Sequence, residues 1–188
     1  MPRAKIRPDD KKLRELILLI SEWSQADPKF GAIKLNKLLF HCDFSAYLTF
    51  GSPITGQEYF ALPQGPAPKK LVPITAKMKA EEELAYQEVP YFGYIQQRPI
   101  ALRSPNVSVF SAREMDLIHR TVERFWDKNA TEISDQSHLF LGWKVARNKE
   151  TIPYATALVG RRPPTPQERK RGLELQSLAE KHVNHAAG

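Results

Sequence analysis

Lys34-Leu35-Asn36-Lys37-Leu38-Leu39-Phe40-His41-Cys42-Asp43-Phe44-Ser45-Ala46-Tyr47 is the stretch whose reading decides the fold. Ile33, Leu35, Leu38, Leu39, Cys42, Ala46 and Tyr47 recur at helical spacing. So broad an apolar face predicts a helix over residues 32–49 at the centre of the core. Lys34, Lys37 and His41 fall mostly elsewhere on its wheel. Gly51-Ser52-Pro53 stops it.

Upstream, Leu13, Leu16, Ile17, Ile20 and Trp23 predict a first helix over 9–23, capped by Asp9 or Asp10. Asp27-Pro28 then opens a turn. Downstream, Tyr59-Phe60-Ala61-Leu62 reads as a short extended piece. Pro63, Gly65, Pro66 and Pro68 exclude a helix interior after it and predict a rigid loop. Residues 74–87 read as helix. Residues 91–109 read as a hairpin, with Tyr91 to Gln96 as the first strand and Ile100 to Leu102, or Val107 to Phe110, as the second. Ser111-Ala-Arg-Glu114 is a capping-box pattern opening a helix to about Lys128, with Met115, Ile118, Val122, Phe125 and Trp126 as its core face. A short helix is expected from Ser134. Thr165, Pro166 and Glu168 predict a last helix with a stripe of Leu173, Leu175, Leu178 and Val183. The sum is an α+β fold, mostly α: a helical domain over residues 1–160 with a small hairpin or antiparallel sheet, then a basic linker and C-terminal helix over 161–188.

The chain has 188 residues, 41% of them hydrophobic, and a formal net charge of +7. That length suits one sizeable core. Residues 161–188 hold six Lys/Arg and three Asp/Glu, so three of the seven surplus charges belong to the tail. The body is close to neutral, which weakens a duplex-binding reading, since that needs a dense basic stripe. The single cysteine, Cys42, excludes an intramolecular disulfide scaffold and a Cys-rich zinc site. The N-terminal residues lack the apolar stretch of a signal peptide, and no apolar run reaches a membrane span. A cytoplasmic protein with no membrane partner is expected.

The block from Lys34 to Tyr47, with Gly51, Ile54-Thr55-Gly56, Tyr59, Ala61-Leu62-Pro63 and Gly65-Pro66, resembles the Panacea domain, the SocA-like antitoxin family, also known as a phage-associated domain of unknown function. Ser137-His138, Trp143 and Ile152-Pro153-Tyr154 are similar to a later segment of that family. The resemblance spans roughly residues 10 to 158. Ala67 departs from it, because valine is usual after Gly-Pro. The resemblance implies a mostly helical antitoxin, prokaryotic or prophage-borne, that neutralises a cognate protein toxin by direct binding. One member acts as an adaptor delivering its toxin to a protease, so a cellular protease is a second possible partner. The basic tail keeps nucleic-acid binding open as an alternative.

Lys34 and Lys37, three apart, read either as charge offered to an acidic partner or as a solvated face. Tyr59, Leu62, Pro63, Gln64, Gly65 and Pro66 read equally as a pre-shaped interface loop or as a tight connection. Asp43, inside an apolar turn, must be paired if buried; Lys37, Lys70 or backbone of the Gly-Pro loop are its candidate partners, and a bracing role is favoured. His138 and Trp143 are assigned structural roles. His41 and Asp43, two apart on a helix, diverge by roughly 200° and do not converge on a metal with His138. No nucleophile elbow, Walker loop, dinucleotide fingerprint or H-E-x-x-H is present. No catalytic residue, cofactor or metal is expected.

Overall fold

The computed structural model describes residues 6–159 and, beyond them, 165–167, 169–171, 173 and 174. The first helix, α1 (Asp10–Trp23), is capped by Asp9, whose carboxylate accepts the Lys12 N–H at 2.8 Å. The second, α2 (Ala32–Phe50), ends in Gly51 at φ +77°. It is buried nearly all round, from Lys34 to Tyr47, as a central helix should be. Leu13, Leu16, Ile17 and Ile20 of α1 meet Leu35, Leu38, Leu39 and Cys42 of α2 in the main core.

A hairpin follows. Strand β1 (Tyr59–Leu62) pairs antiparallel with β2 (Gly65–Pro68) across the two-residue turn Pro63-Gln64. The expected loop is therefore mostly strand. Proline is tolerated because β2 is the edge of its sheet, whose order is β2-β1-β5. Strand β5 (Thr151–Ile152) pairs with Tyr59 and Phe60 on the other side.

Helix α3 (Leu71–Ala80) is shorter than the 74–87 expected. Glu82 turns the chain at φ +56°. Arg14 holds Glu81 and Glu83, and Arg103 holds Glu83 and Glu15. The three-glutamate run is thus a clamped turn, and Leu84 starts a strand instead. The arm formed by β3 (Leu84–Tyr91) and β4 (Tyr94–Ala101) pairs in register from Leu84↔Ala101 to Tyr91↔Tyr94. A hairpin is present, but the expected first strand, Tyr91 to Gln96, spans its turn; Ile100 and Ala101 of the expected second strand close β4, and residues 107–109 form a turn of 3₁₀ helix. The arm's base packs on α1 and α2, where Arg98 donates to the carbonyls of Gln25 and Asp27.

Helix α4 (Ala112–Arg124) opens at the capping box, with the Ser111 N–H donating to Glu114 at 2.8 Å. It stops short of Lys128, and Trp126 is exposed rather than in the core. Helix α5 (Ala130–His138) begins earlier than expected because Asn129 and Glu132 cap it reciprocally. Helix α6 (Leu141–Val145) leads to β5 and a 3₁₀ turn over Tyr154–Leu158. A second, aromatic core joins Phe40, Phe44 and Tyr47 of α2 to Tyr59, Ile152 and Tyr154. The described residues between 166 and 174 are helical and exposed, and the rest of the expected C-terminal stripe lies outside the described residues. The fold is α+β and mostly helical. Among the described residues no helix is long and apolar enough to cross a membrane.

Candidate functional site

Asp43 lies fully buried at the junction of the two cores. Its Oδ1 accepts the Thr55 N–H at 2.6 Å, and its Oδ2 accepts the Thr55 hydroxyl at 2.5 Å and the Tyr59 hydroxyl at 2.8 Å. Burial pushes its carboxyl above the ordinary value, against the pull of these hydrogen bonds. The partners expected from sequence are different residues: Lys70 pairs with Asp10, and Lys37 reaches Gln64. The loop that Asp43 grips is tied in turn to the start of α1, where the Asp9 N–H donates to the Thr55 carbonyl at 2.8 Å. The Tyr154 hydroxyl donates to the Gln57 carbonyl at 2.6 Å. One carboxylate therefore joins α1, α2, β1 and the C-terminal turn.

Lys34 and Lys37 are corrected by the structure. Neither is on a solvated face or displayed to a partner: each is 1% exposed, whereas Ile33, expected in the core, is 48% exposed. The two ammonium groups also part company. Lys34 Nζ pairs with Asp27 at 2.5 Å and donates to the Lys128 carbonyl at 2.7 Å. Burial lowers its pKa, and Asp27 opposes the fall. Lys37 runs under the β1–β2 turn to the Gln64 carbonyl, with no carboxylate partner among the described residues. Gly65, at φ +101°, is required there: a Cβ would stand 2.5 Å from Lys37 Nζ and 2.8 Å from Ser137 Oγ.

Burial alone brings the Lys37 pKa down to about 8 from 10.5. Between those values the unfolded chain holds a proton that the folded chain has lost, so this group's contribution to stability rises with pH across that window. The rise is about 3 kcal/mol. Cys42 works against it, because burial raises its thiol pKa and unfolding then releases a proton in the same alkaline range. Lys37→Met isolates the effect. The variant is expected to be about 1–3 kcal/mol more stable than wild type at pH 7, with the advantage fading toward pH 10.5. Urea titrations at several pH values check this; an advantage independent of pH would rule out an ionised buried Lys37.

The remaining expected residues divide between tip and packing. Tyr59, Gly65 and Pro66 are buried, Leu62 is half-buried, and only Pro63 and Gln64 stand exposed. The Asn36 side chain donates to the Pro66 carbonyl at 3.3 Å. Trp143 Nε1 donates to the Leu62 carbonyl at 2.9 Å, and His138 stacks on Trp143 with ring centroids 4.2 Å apart. Thus α5 and α6 hold the hairpin from below. His41 lies against Phe125 at 4.5 Å, well apart in its contacts from Asp43 and His138. Burial, with Arg124 and Lys37 nearby, lowers its pKa to about 3, so it is neutral. Among the described residues no three His, Cys, Asp or Glu side chains could hold a metal ion.

Two surfaces were missed in the sequence. The first is the tip of the β3–β4 arm, where Phe92, Tyr94 and Ile95 are 88%, 59% and 57% exposed. Its turn is Phe92-Gly93, at φ +43° and +85°. Two-residue turns of this kind favour Asn-Gly, and phenylalanine at positive φ is strained. Aromatics at a hairpin apex were the available signal. The second is a groove of about 900 Å³ between α2, α5, α6 and the 3₁₀ turn. Phe40, Phe44 and Phe140 line it, with Arg124 and Lys144 among its polar residues. Its residues come from four separate segments, so nothing local in the sequence announces it.

No curated protein and no solved structure shows significant similarity to the chain. One family model matches it, over residues 35–144, which runs from α2 through the arm to α6. Helix α1, β5 and the Tyr154 turn, included in the broader resemblance, lie outside the match although they pack into the same cores. With more than half its length matched, the chain belongs to the antitoxin SocA-like, Panacea domain family.

Proposed function

We propose that the chain is an antitoxin that neutralises a cognate protein toxin by direct contact, without catalysis or a cofactor. Membership of the Panacea family carries the reading. The tip of the arm supports it with a surface suited to a protein partner. Residues 89–97 carry no charged side chain, and exposed aromatics cluster at their centre. Tyr91 packs edge-on against Phe92 and Tyr94, with centroids 4.9 and 5.5 Å away, so the tip is ordered before binding. Aromatic anchors of this kind dominate interface energies. Phe92, 88% exposed and at positive φ, contributes little apolar burial to the free chain.

The test is co-expression with the product of the neighbouring gene. Growth is expected to recover and the two proteins to co-purify; neither rescue nor complex would sink the reading. Phe92→Asn is expected to weaken the complex about 30-fold, the loss of one interface anchor of about 2 kcal/mol. The same change relieves the strained turn and should raise the unfolding free energy by about 0.5–1 kcal/mol. Opposite signs in binding and stability would mark the residue as held for contact. Adding a protease separates occlusion from delivery, since accelerated toxin loss marks an adaptor. Nucleic-acid binding is the second reading, favoured by exposed Arg169, Lys170 and Arg171. A salt-sensitive gel shift lost on deleting residues 161–188 would support it.

A further inference from the structure

We propose that the groove between α2, α5 and α6 is a peptide-binding site that takes a short acidic, amphipathic segment of another protein. The floor is apolar and fixed: Phe44 packs on Phe40 and Phe140, with centroids 4.5 and 5.1 Å away. The walls are apolar and open to water, with Leu48, Leu139 and Leu158 between 47% and 58% exposed. Its volume of about 900 Å³ lies at the upper end for small-molecule pockets and suits several bulky side chains together.

Charge decides the occupant. Arg124 and Lys144 line the groove, and no aspartate or glutamate does. Lys12 and Arg14 of α1, Lys70 just before α3 and Arg103 just after the arm each have a carboxylate within reach. Arg124 has none within 4.0 Å among the described residues; it donates instead to Gln136 at 3.1 Å and lies over Phe125. Lys144 likewise has no carboxylate partner there. His41 also lines the groove, whereas the buried Lys37 lies outside it, under the β1–β2 turn. A segment with Leu, Ile or Phe for the floor and Asp or Glu beside them would satisfy both features. The chain's own tail is the poorer match. Val159 lines the groove where the tail leaves it, but residues 161–188 carry a net +3, and the described part of that tail is exposed. The site does not depend on toxin neutralisation, since it specifies the chemistry of a segment whatever protein carries it.

Panning a random 12-residue phage-displayed library on the immobilised full chain tests the inference. Selected peptides are expected to combine bulky apolar residues with Asp or Glu. Binding of those synthetic peptides should weaken at least tenfold on Arg124→Glu with Lys144→Glu, and equally on Leu139→Asp. All three positions lie on the groove rather than in the core, and circular dichroism verifies that each variant folds. Raising the salt should weaken binding further. Basic or uncharged consensus peptides, no selected peptide, or binding indifferent to these variants would overturn it. Selection only after removal of residues 161–188 would assign the groove to the tail. Self-association abolished by the charge reversal would assign it to a second copy. Either result overturns the acidic partner.

Discussion

Asp43→Ala is expected to lower the unfolding free energy by about 3–5 kcal/mol. The carboxylate accepts three hydrogen bonds from Thr55 and Tyr59, both 1% exposed. Alanine leaves all three donors buried without acceptors, and each such group costs about 1–3 kcal/mol. Asp43→Asn keeps an oxygen for the Thr55 N–H and sets its amide against the two hydroxyls, which can turn to accept, so it should recover part of the loss. Thr55→Val, which removes the hydroxyl and keeps the N–H, should cost about 1–2 kcal/mol. Urea unfolding with an unchanged slope would report these as losses of stability rather than of native compactness. A loss below about 1 kcal/mol for Asp43→Ala would mean that the contacts from Asp9, Asp10 and Tyr154 suffice to hold the 54–57 loop.

The second large effect is at Lys34. Lys34→Ala is expected to cost about 3–5 kcal/mol, because it strands the Asp27 carboxylate in a dry site. The pair, 1% exposed on both sides, fastens the turn after α1 to the carbonyl of Lys128 after α4. Asp27→Ala should cost as much by stranding the ammonium. The double variant should cost less than the sum by about 2–3 kcal/mol, since each change removes what the other leaves unpaired. Simple additivity in that cycle would show that the two charges do not depend on each other. Together with Lys37→Met, which is expected to stabilise, this separates two lysines that look alike in the sequence. One has a counter-ion and supports the fold; the other has a carbonyl and strains it.

The helices were legible because their signals are local. The 3.6-residue period of Leu13, Leu16, Ile17 and Ile20, the Asp9 cap and the Ser111–Glu114 box need no distant residue. The Asn129–Glu132 cap is equally local. Burial of the lysines was not legible: Lys34 is neutralised by Asp27 and capped by a carbonyl 94 residues away, and the helical wheel carries neither fact. Among the candidate site residues, the Gly-Pro loop was recognised, but its edge-strand pairing depends on which strand β2 lies beside, and its support on Trp143 from α6.

The amino-acid order by itself determined a central apolar helix, the helices α1 and α4 beside it, the breaks that bound them and the family that its motif resembles. Each of these follows from neighbours a few residues apart, through periodicity, caps and proline. Only the tertiary structure decided which polar groups go inside and which apolar ones stay out. It buried Lys34, Lys37 and Asp43 while leaving Phe92, Leu48 and Leu139 in water. A charge can be buried only where a distant partner or carbonyl meets it, and an apolar side chain stays exposed only where no second element covers it. Both are properties of the packing of separated segments, which the α2 stretch of Lys34 to Tyr47 organises but does not spell out.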